Sequence, residues 1–190
     1  KELCPLCASS GEKLTEIPDK DYEVVVFTNR SPALTTPSNN WSLPQITGID
    51  TPNADAAGAC EVVCYTSDHG ASFAKLSEKQ IRTVLEAWKD RDNALSKLPF
   101  IKHIFPFENR GEEVGVTLSH PHGQIYAYSF LPPRIEKMLE AAKAHLVKTG
   151  RVLLDDVIAR EIKDQKRIIS QNTEWVAYVP FAARYPFEIH

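Results

Sequence analysis

The sequence predicts an α+β protein, on two observations. Short runs rich in β-branched and aromatic residues recur at 22–28 (YEVVVFT), 61–66, 101–107, 123–130 (GQIYAYSF) and 175–180 (WVAYVP), and such runs favour strands. Between and after them lie stretches whose apolar residues recur at helical spacing. The first helix is announced by Ser77, a good N-cap, with Gln80 three residues on as its capping-box partner. Behind it Ile81, Val84, Leu85, Trp88 and Leu95 share a face, and the helix should end before Pro99. A second helix is predicted over 135–147. Pro132-Pro133 breaks the strand ahead of it and Gly150 is its stop. A third amphipathic helix is expected over 152–168. The first 20 residues, beyond their opening Cys pair, read as polar loop. So do 31–40, with Pro32, Pro37, Asn39 and Asn40, and the similar stretch 41–58. Asn109-Arg110-Gly111 is a turn, and 185–190 is expected to open a further extended element.

Of the 190 residues, 43% are hydrophobic, enough for one or two small domains with a core. Charged residues make up 25% and the formal net charge is -3, which gives no basic footprint for nucleic acid. No apolar run approaches the roughly 20 residues of a membrane helix, and no signal peptide is visible at Lys1. The only methionine is Met138, so the chain is expected to begin inside a longer protein.

The segment richest in chemistry is Ser119-His120-Pro121-His122-Gly123-Gln124. Side chains alternate along a strand, so extended geometry would put His120, His122 and Gln124 on one face. Three polar groups there are poor core material unless each finds a partner. A solvated edge strand, which Pro121 would permit, is the plain reading; a site is the sharper one. Cys4-Pro5-Leu6-Cys7 offers two soft thiolates at a spacing that suits half of a tetrahedral zinc site. The other half is open to His69, His103, His120, His122 and His145. His145 reads as an exposed helix residue and His103 as a satisfied strand residue, whereas His69 stands at a strand end where ligands often sit. A redox pair or two reduced structural thiols are alternatives for Cys4 and Cys7. Cys60 and Cys64, in an apolar run, read as small buried hydrophobes.

Several stretches, in order along nearly the whole chain, resemble the galactose-1-phosphate uridylyltransferases, a branch of the histidine-triad superfamily. They are Cys4-Pro5-Leu6-Cys7, Val26-Phe27-Thr28-Asn29, Ser67-Asp68-His69, Phe107-Glu108-Asn109-Arg110-Gly111, His120-Pro121-His122-Gly123-Gln124, Ser129-Phe130-Leu131-Pro132 and 175–188. The His-Pro-His-Gly-Gln string is the most specific. The resemblance implies a histidine-triad-like antiparallel sheet, a half-barrel with flanking helices. Residues 1–150 would form a catalytic half with a zinc site, and 151–190 a linker helix and the start of a second similar half-domain, incomplete here. It implies His122 as the nucleophile that takes up UMP and Gln124 as the holder of the α-phosphate oxygens. Cys4, Cys7, His69 and His120 would bind a structural zinc. Phe27, Asn29, Val62, Asn109, Gly115 and Thr117 fall where the family contacts the uridine nucleotide. UDP-glucose and galactose 1-phosphate would be the substrates of a cytoplasmic homodimer. Three positions depart from the pattern: Met138 stands where some relatives carry a carboxylate for a second metal, and Arg30 and Ser31 stand where relatives often have Asp and an aromatic residue.

A neutral imidazole can attack phosphorus without a separate base, because its attacking nitrogen carries no proton. The other nitrogen must then keep its proton, and a backbone carbonyl near His120 is the expected acceptor. Two other readings stand beside uridylyl exchange. One is an adenylyl-transferring relative, such as a phosphorylase of ADP-glucose or of dinucleoside polyphosphates; the other is a non-catalytic, zinc-stabilised nucleotide-binding module.

Overall fold

The computed structural model describes residues 4–11, 14–37 and 55–190. The middle of the loop expected over 31–58 lies outside the described residues. The chain divides into two compact units, Lys1–Leu131 and Pro132–His190. The division precedes the second helix, whereas the expected boundary at 150 falls between the second and third helices.

In the first unit, β1 (Val25–Thr28), β2 (Gly58–Cys64), β3 (His103–Phe107) and β4 (His122–Tyr128) form one sheet in the order β1-β2-β4-β3. Every pairing is antiparallel. The strand bearing His122 is therefore internal, and the solvated-edge reading of that segment does not hold. Pro106 sits instead on the edge strand β3, where a missing ladder donor is tolerated.

The two faces of the sheet differ because side chains alternate. Along β4 the residues Gly123, Ile125 and Ala127 are buried, while His122, Gln124, Tyr126 and Tyr128 are half-buried. Ile125 and Ala127 join Val63, Tyr65, Val84 and Leu95 in the main core, against α1 (Glu78–Leu95). Ser77 caps that helix as expected, its hydroxyl accepting from the Gln80 N–H (3.2 Å). The Gln80 side chain does not close the capping box. It leaves the helix and donates to the Tyr65 carbonyl (2.8 Å), tying α1 to the end of β2. Glu61 would be a bare carboxylate under the helix, but Arg91 meets both its oxygens at 2.8 and 2.9 Å. The opposite face carries a second cluster of Leu6, Ile17, Val62 and Cys64, with Tyr22, Phe27 and Leu118 packed on it.

The second unit holds α2 (Pro133–Thr149), α3 (Leu153–Asp164) and a hairpin of β5 (Ile168–Gln171) and β6 (Val176–Tyr178). Helix α2 starts on a proline, whose missing N–H is no loss there, and stops at Gly150. Helix α3 ends four residues earlier than its apolar spacing suggests. Gln165 turns left-handed (φ 54°) and its N–H caps the Glu161 carbonyl, after which the chain enters β5. Glu161 is buried and Arg167 grips both its oxygens at 2.9 Å. His145 is not simply exposed: its Nε2 lies 2.7 Å from Asp156, joining α2 to α3. The extended element expected at 185–190 does not form: 185–187 turn, with Phe187 left-handed (φ 60°), and only His190 pairs, with Tyr178 through both backbone groups. Among the described residues no helix is long and apolar enough to cross a membrane.

Candidate functional site

Four side chains from three distant parts of the first unit converge. The turn Cys4 to Cys7, closed by a Cys7 N–H to Cys4 carbonyl bond of 3.1 Å, presents two thiols. His69 arrives from the loop after β2, and His120 from the bend just ahead of β4. The ligand atoms of Cys4, Cys7, His69 and His120 all lie within 4.8 Å of one another. Cys7 Sγ is 3.4 Å from His69 Nδ1 and 3.6 Å from His120 Nδ1. A tetrahedral ion with sulfur at about 2.3 Å and nitrogen at about 2.0 Å would separate its ligands by roughly 3.3–3.8 Å. The cluster fits such an ion and could hold a metal. All four cysteines are free thiols, so Cys4 and Cys7 do not form a disulfide.

The surroundings fix how each imidazole presents itself. His120 Nε2 lies 2.8 Å from the Thr66 carbonyl, an acceptor only, so it carries the proton and turns the Nδ1 lone pair toward the thiols. The Tyr22 hydroxyl lies 2.8 Å from the same nitrogen and donates to the Leu6 carbonyl (2.8 Å), linking the Cys turn to His120. His69 Nε2 lies 3.1 Å from the Ser119 hydroxyl. Partners of this kind orient ligands and tune their basicity. Burial, opposed by the Thr66 carbonyl, lowers the proton affinity of His120. Burial and the adjacent Cys4 push the Cys7 thiol up, a repulsion that a cation between the sulfurs would offset. Tyr22, Thr66 and Ser119 were not legible in the sequence as site residues. Only Ser119, adjacent to His120, carried any hint.

Beyond the cluster, His122 begins β4 opposite Cys64, and Gln124 lies opposite Val62, which in turn faces Phe27 on β1. His122 Nδ1 is 2.8 Å from the His120 carbonyl. A carbonyl only accepts, so Nδ1 holds the proton and Nε2 keeps a free lone pair. The Asn29 amide donates to Gln124 Oε1 (3.2 Å), which leaves the NH₂ end of Gln124 as the outward donor. Two adjoining cavities meet at His122. One, of about 460 Å³, is walled by Glu108, Asn109, Arg110 and Pro121; the other, of about 180 Å³, by Gly115, Thr117, Gly123 and Gln124. Asn109 and Thr117 line both. Burial raises the Glu108 carboxyl above its ordinary range, against the pull of Arg110 and His122. Phe27 and Val62 lie across the sheet and line neither cavity.

An antiparallel sheet that carries a His-x-His-x-Gln segment beside a two-cysteine, two-histidine cluster defines a histidine-triad-like protein. Comparison with known proteins narrows this. Residues 1–132 match the family model described as galactose-1-phosphate uridyl transferase, N-terminal domain, and the chain belongs to that family. It is 46% identical to a galactose-1-phosphate uridylyltransferase of Streptomyces lividans, over all of this chain and 48% of that protein. It is 39% identical to one of Thermotoga maritima, over all of this chain and 57% of that protein. A solved structure of a uridylyltransferase superposes with a TM-score of 0.81 at 31% identity, over all of this chain and 58% of that one. The chain spans about half the length of the curated relatives it matches.

Proposed function

We propose that the protein containing this chain exchanges UMP between UDP-glucose and galactose 1-phosphate through a uridylyl group carried on His122. The observation that carries this reading is the tautomer lock on His122. Its Nδ1 proton is committed to the His120 carbonyl 2.8 Å away, which leaves Nε2 unprotonated at the junction of the two cavities. The names of its relatives support the choice of substrates.

In the first half-reaction Nε2 attacks the α-phosphorus of UDP-glucose. An N–P bond forms, the P–O bond to the β-phosphate breaks, and glucose 1-phosphate leaves with the electron pair. A phosphate oxygen of galactose 1-phosphate then attacks the same phosphorus, the N–P bond breaks, and UDP-galactose departs. The NH₂ group of Gln124 donates to the non-bridging oxygens in both steps. A preorganised neutral donor stabilises the transition-state charge without fixing the ground state as a cation would. Asn29 holds that amide in orientation, and Asn109, Gly115 and Thr117 frame the nucleotide's phosphate side. Phe27 and Val62 supply an apolar surface for the base.

Cys4, Cys7, His69 and His120 would hold a structural zinc. Bound there, the ion would contribute to folding free energy and rigidity rather than to bond making. His120, the residue whose carbonyl locks His122, is itself one of the four ligands, so a rigid cluster also fixes the nucleophile's tautomer. Residues near 175–190 begin a second half-domain in this reading, and the whole protein works as a cytoplasmic homodimer. The test is intact mass spectrometry of the full-length protein after incubation with UDP-glucose, with ADP-glucose in parallel. A uridylyl mass increment on His122, reversed by galactose 1-phosphate, is the expected result. An adduct only from ADP-glucose would assign the adenylyl reading, and nucleotide binding with no adduct would assign the binding-module reading.

A further inference from the structure

Among the described residues Tyr65 is the largest fully buried side chain, yet its hydroxyl has no hydrogen-bond partner there. A phenol that only fills a core is expected to satisfy its hydroxyl or to be a phenylalanine. Its surroundings suggest another use. The ring is clamped edge-on by Phe73 at 5.2 Å and Trp88 at 6.3 Å. Its carbonyl is held by Gln80 from α1 (2.8 Å). From this fixed base Tyr65 meets the catalytic segment twice. Its N–H donates to the Pro121 carbonyl (3.2 Å), on one side of His122. Its hydroxyl abuts the backbone at Gly123, on the other side: a Cβ placed on Gly123 would come within 1.9 Å of that oxygen and 2.9 Å of the ring. The Phe107 carbonyl closes the remaining space, 2.7 Å from the same point. Only glycine fits there, and the tyrosine hydroxyl occupies the space a side chain would need.

We infer that Tyr65 is a positioning residue for the reaction at His122, its backbone amide and phenol bracketing the Pro121–Gly123 backbone so that Nε2 and the Gln124 amide address one phosphorus. The bracket acts from the core face, while His122 and Gln124 project from the other, so Tyr65 acts through the backbone of β4 and not on the substrate. The hydroxyl is kept for its reach rather than for a hydrogen bond. This inference rests on the covalent reading proposed above.

The test is rapid-quench measurement of adduct formation from labelled UDP-glucose in the full-length protein. The amplitude counts competent sites and the rate constant at saturation reports their aim. Tyr65→Phe keeps the ring and removes the reach. It should melt no lower than the wild type, because no hydrogen bond is lost, and keep full amplitude, zinc content and half-saturation concentration. Its adduct should nonetheless form about 5- to 10-fold more slowly, since small misplacements are costly and a shift of about 1 Å can cost 100-fold. Tyr65→Leu, which removes both ring and reach, should be about 100-fold slower in the fraction that folds. A purely structural role predicts lower amplitude with an unchanged rate constant. A wild-type rate constant in Tyr65→Phe overturns the positioning role and leaves the covalent reading standing. Absence of any adduct in the wild type overturns both.

Discussion

The Nδ1 of His122 lies 2.8 Å from the carbonyl oxygen of His120, two residues earlier in the chain. One backbone group thus sets the protonation pattern of the proposed nucleophile, and the residue that owns that group sits in the cysteine–histidine cluster. Placement of the cluster and placement of the free lone pair are therefore one geometric problem.

His122→Gly should abolish the uridylyl adduct and lower turnover by on the order of 10⁴-fold or more, as removal of a nucleophile does elsewhere. Metal content should not change, because His122 is not in the cluster. The vacated space adjoins both cavities, so added imidazole should restore part of the activity. Peptide mapping that placed the adduct on His120 in the wild type would refute the assignment.

Gln124→Ala removes the donor that Asn29 orients. Both half-reactions should slow by about 100- to 1000-fold, the usual cost of one preorganised donor, with nucleotide binding largely kept. Single-turnover rates for each half-reaction, alongside a binding titration, decide this. Normal turnover with weakened binding would make Gln124 a ground-state contact instead.

Cys4→Ser should reduce bound zinc and lower the melting temperature together, by about 2–4 °C for each kcal/mol of stability lost in a chain of this length. Chelation of the wild type should produce the same shift, and the variant should be insensitive to the chelator. Elemental analysis paired with calorimetry reads both. Full zinc content in the variant would take Cys4 out of the site.

The α2–α3 junction should weaken in acid. Arg151 first, then His145, holds the Asp156 carboxyl below its ordinary range. A carboxylate with a depressed folded pKa contributes stability above its unfolded value, and that contribution is lost as pH falls through the folded one. Hydrogen exchange over 133–164, corrected for the intrinsic pH effect, should show protection steady from neutrality down to the ordinary carboxylate range and falling below it. Asp156→Asn should start less protected and respond less to acid. Equal pH responses in the two proteins would show that Asp156 is not the titrating group.

The parts whose signals are local were legible along the chain. Ser77 stops a helix because its hydroxyl reaches an N–H three residues away, and Gly150 ends another because it takes a left-handed turn without strain. The Cys-x-x-Cys turn and the His-x-His-x-Gln segment marked the chemistry for the same reason: their geometry spans a few residues. Long-range packing set the rest. It brought His69 and His120, 51 positions apart in the numbering, to the two thiols. It turned His120 into the interior ahead of β4, so that strand alternation begins only at His122. It ended α3 at Asp164, where the apolar spacing ran on, because a left-handed Gln165 and the pairing of β5 with β6 outweighed local propensity. It also set Tyr65 beneath Gly123, from opposite sides of a strand pairing. Such contacts depend on register and packing across the sheet, where one residue of slip reverses every face, and no spacing along a single strand encodes them.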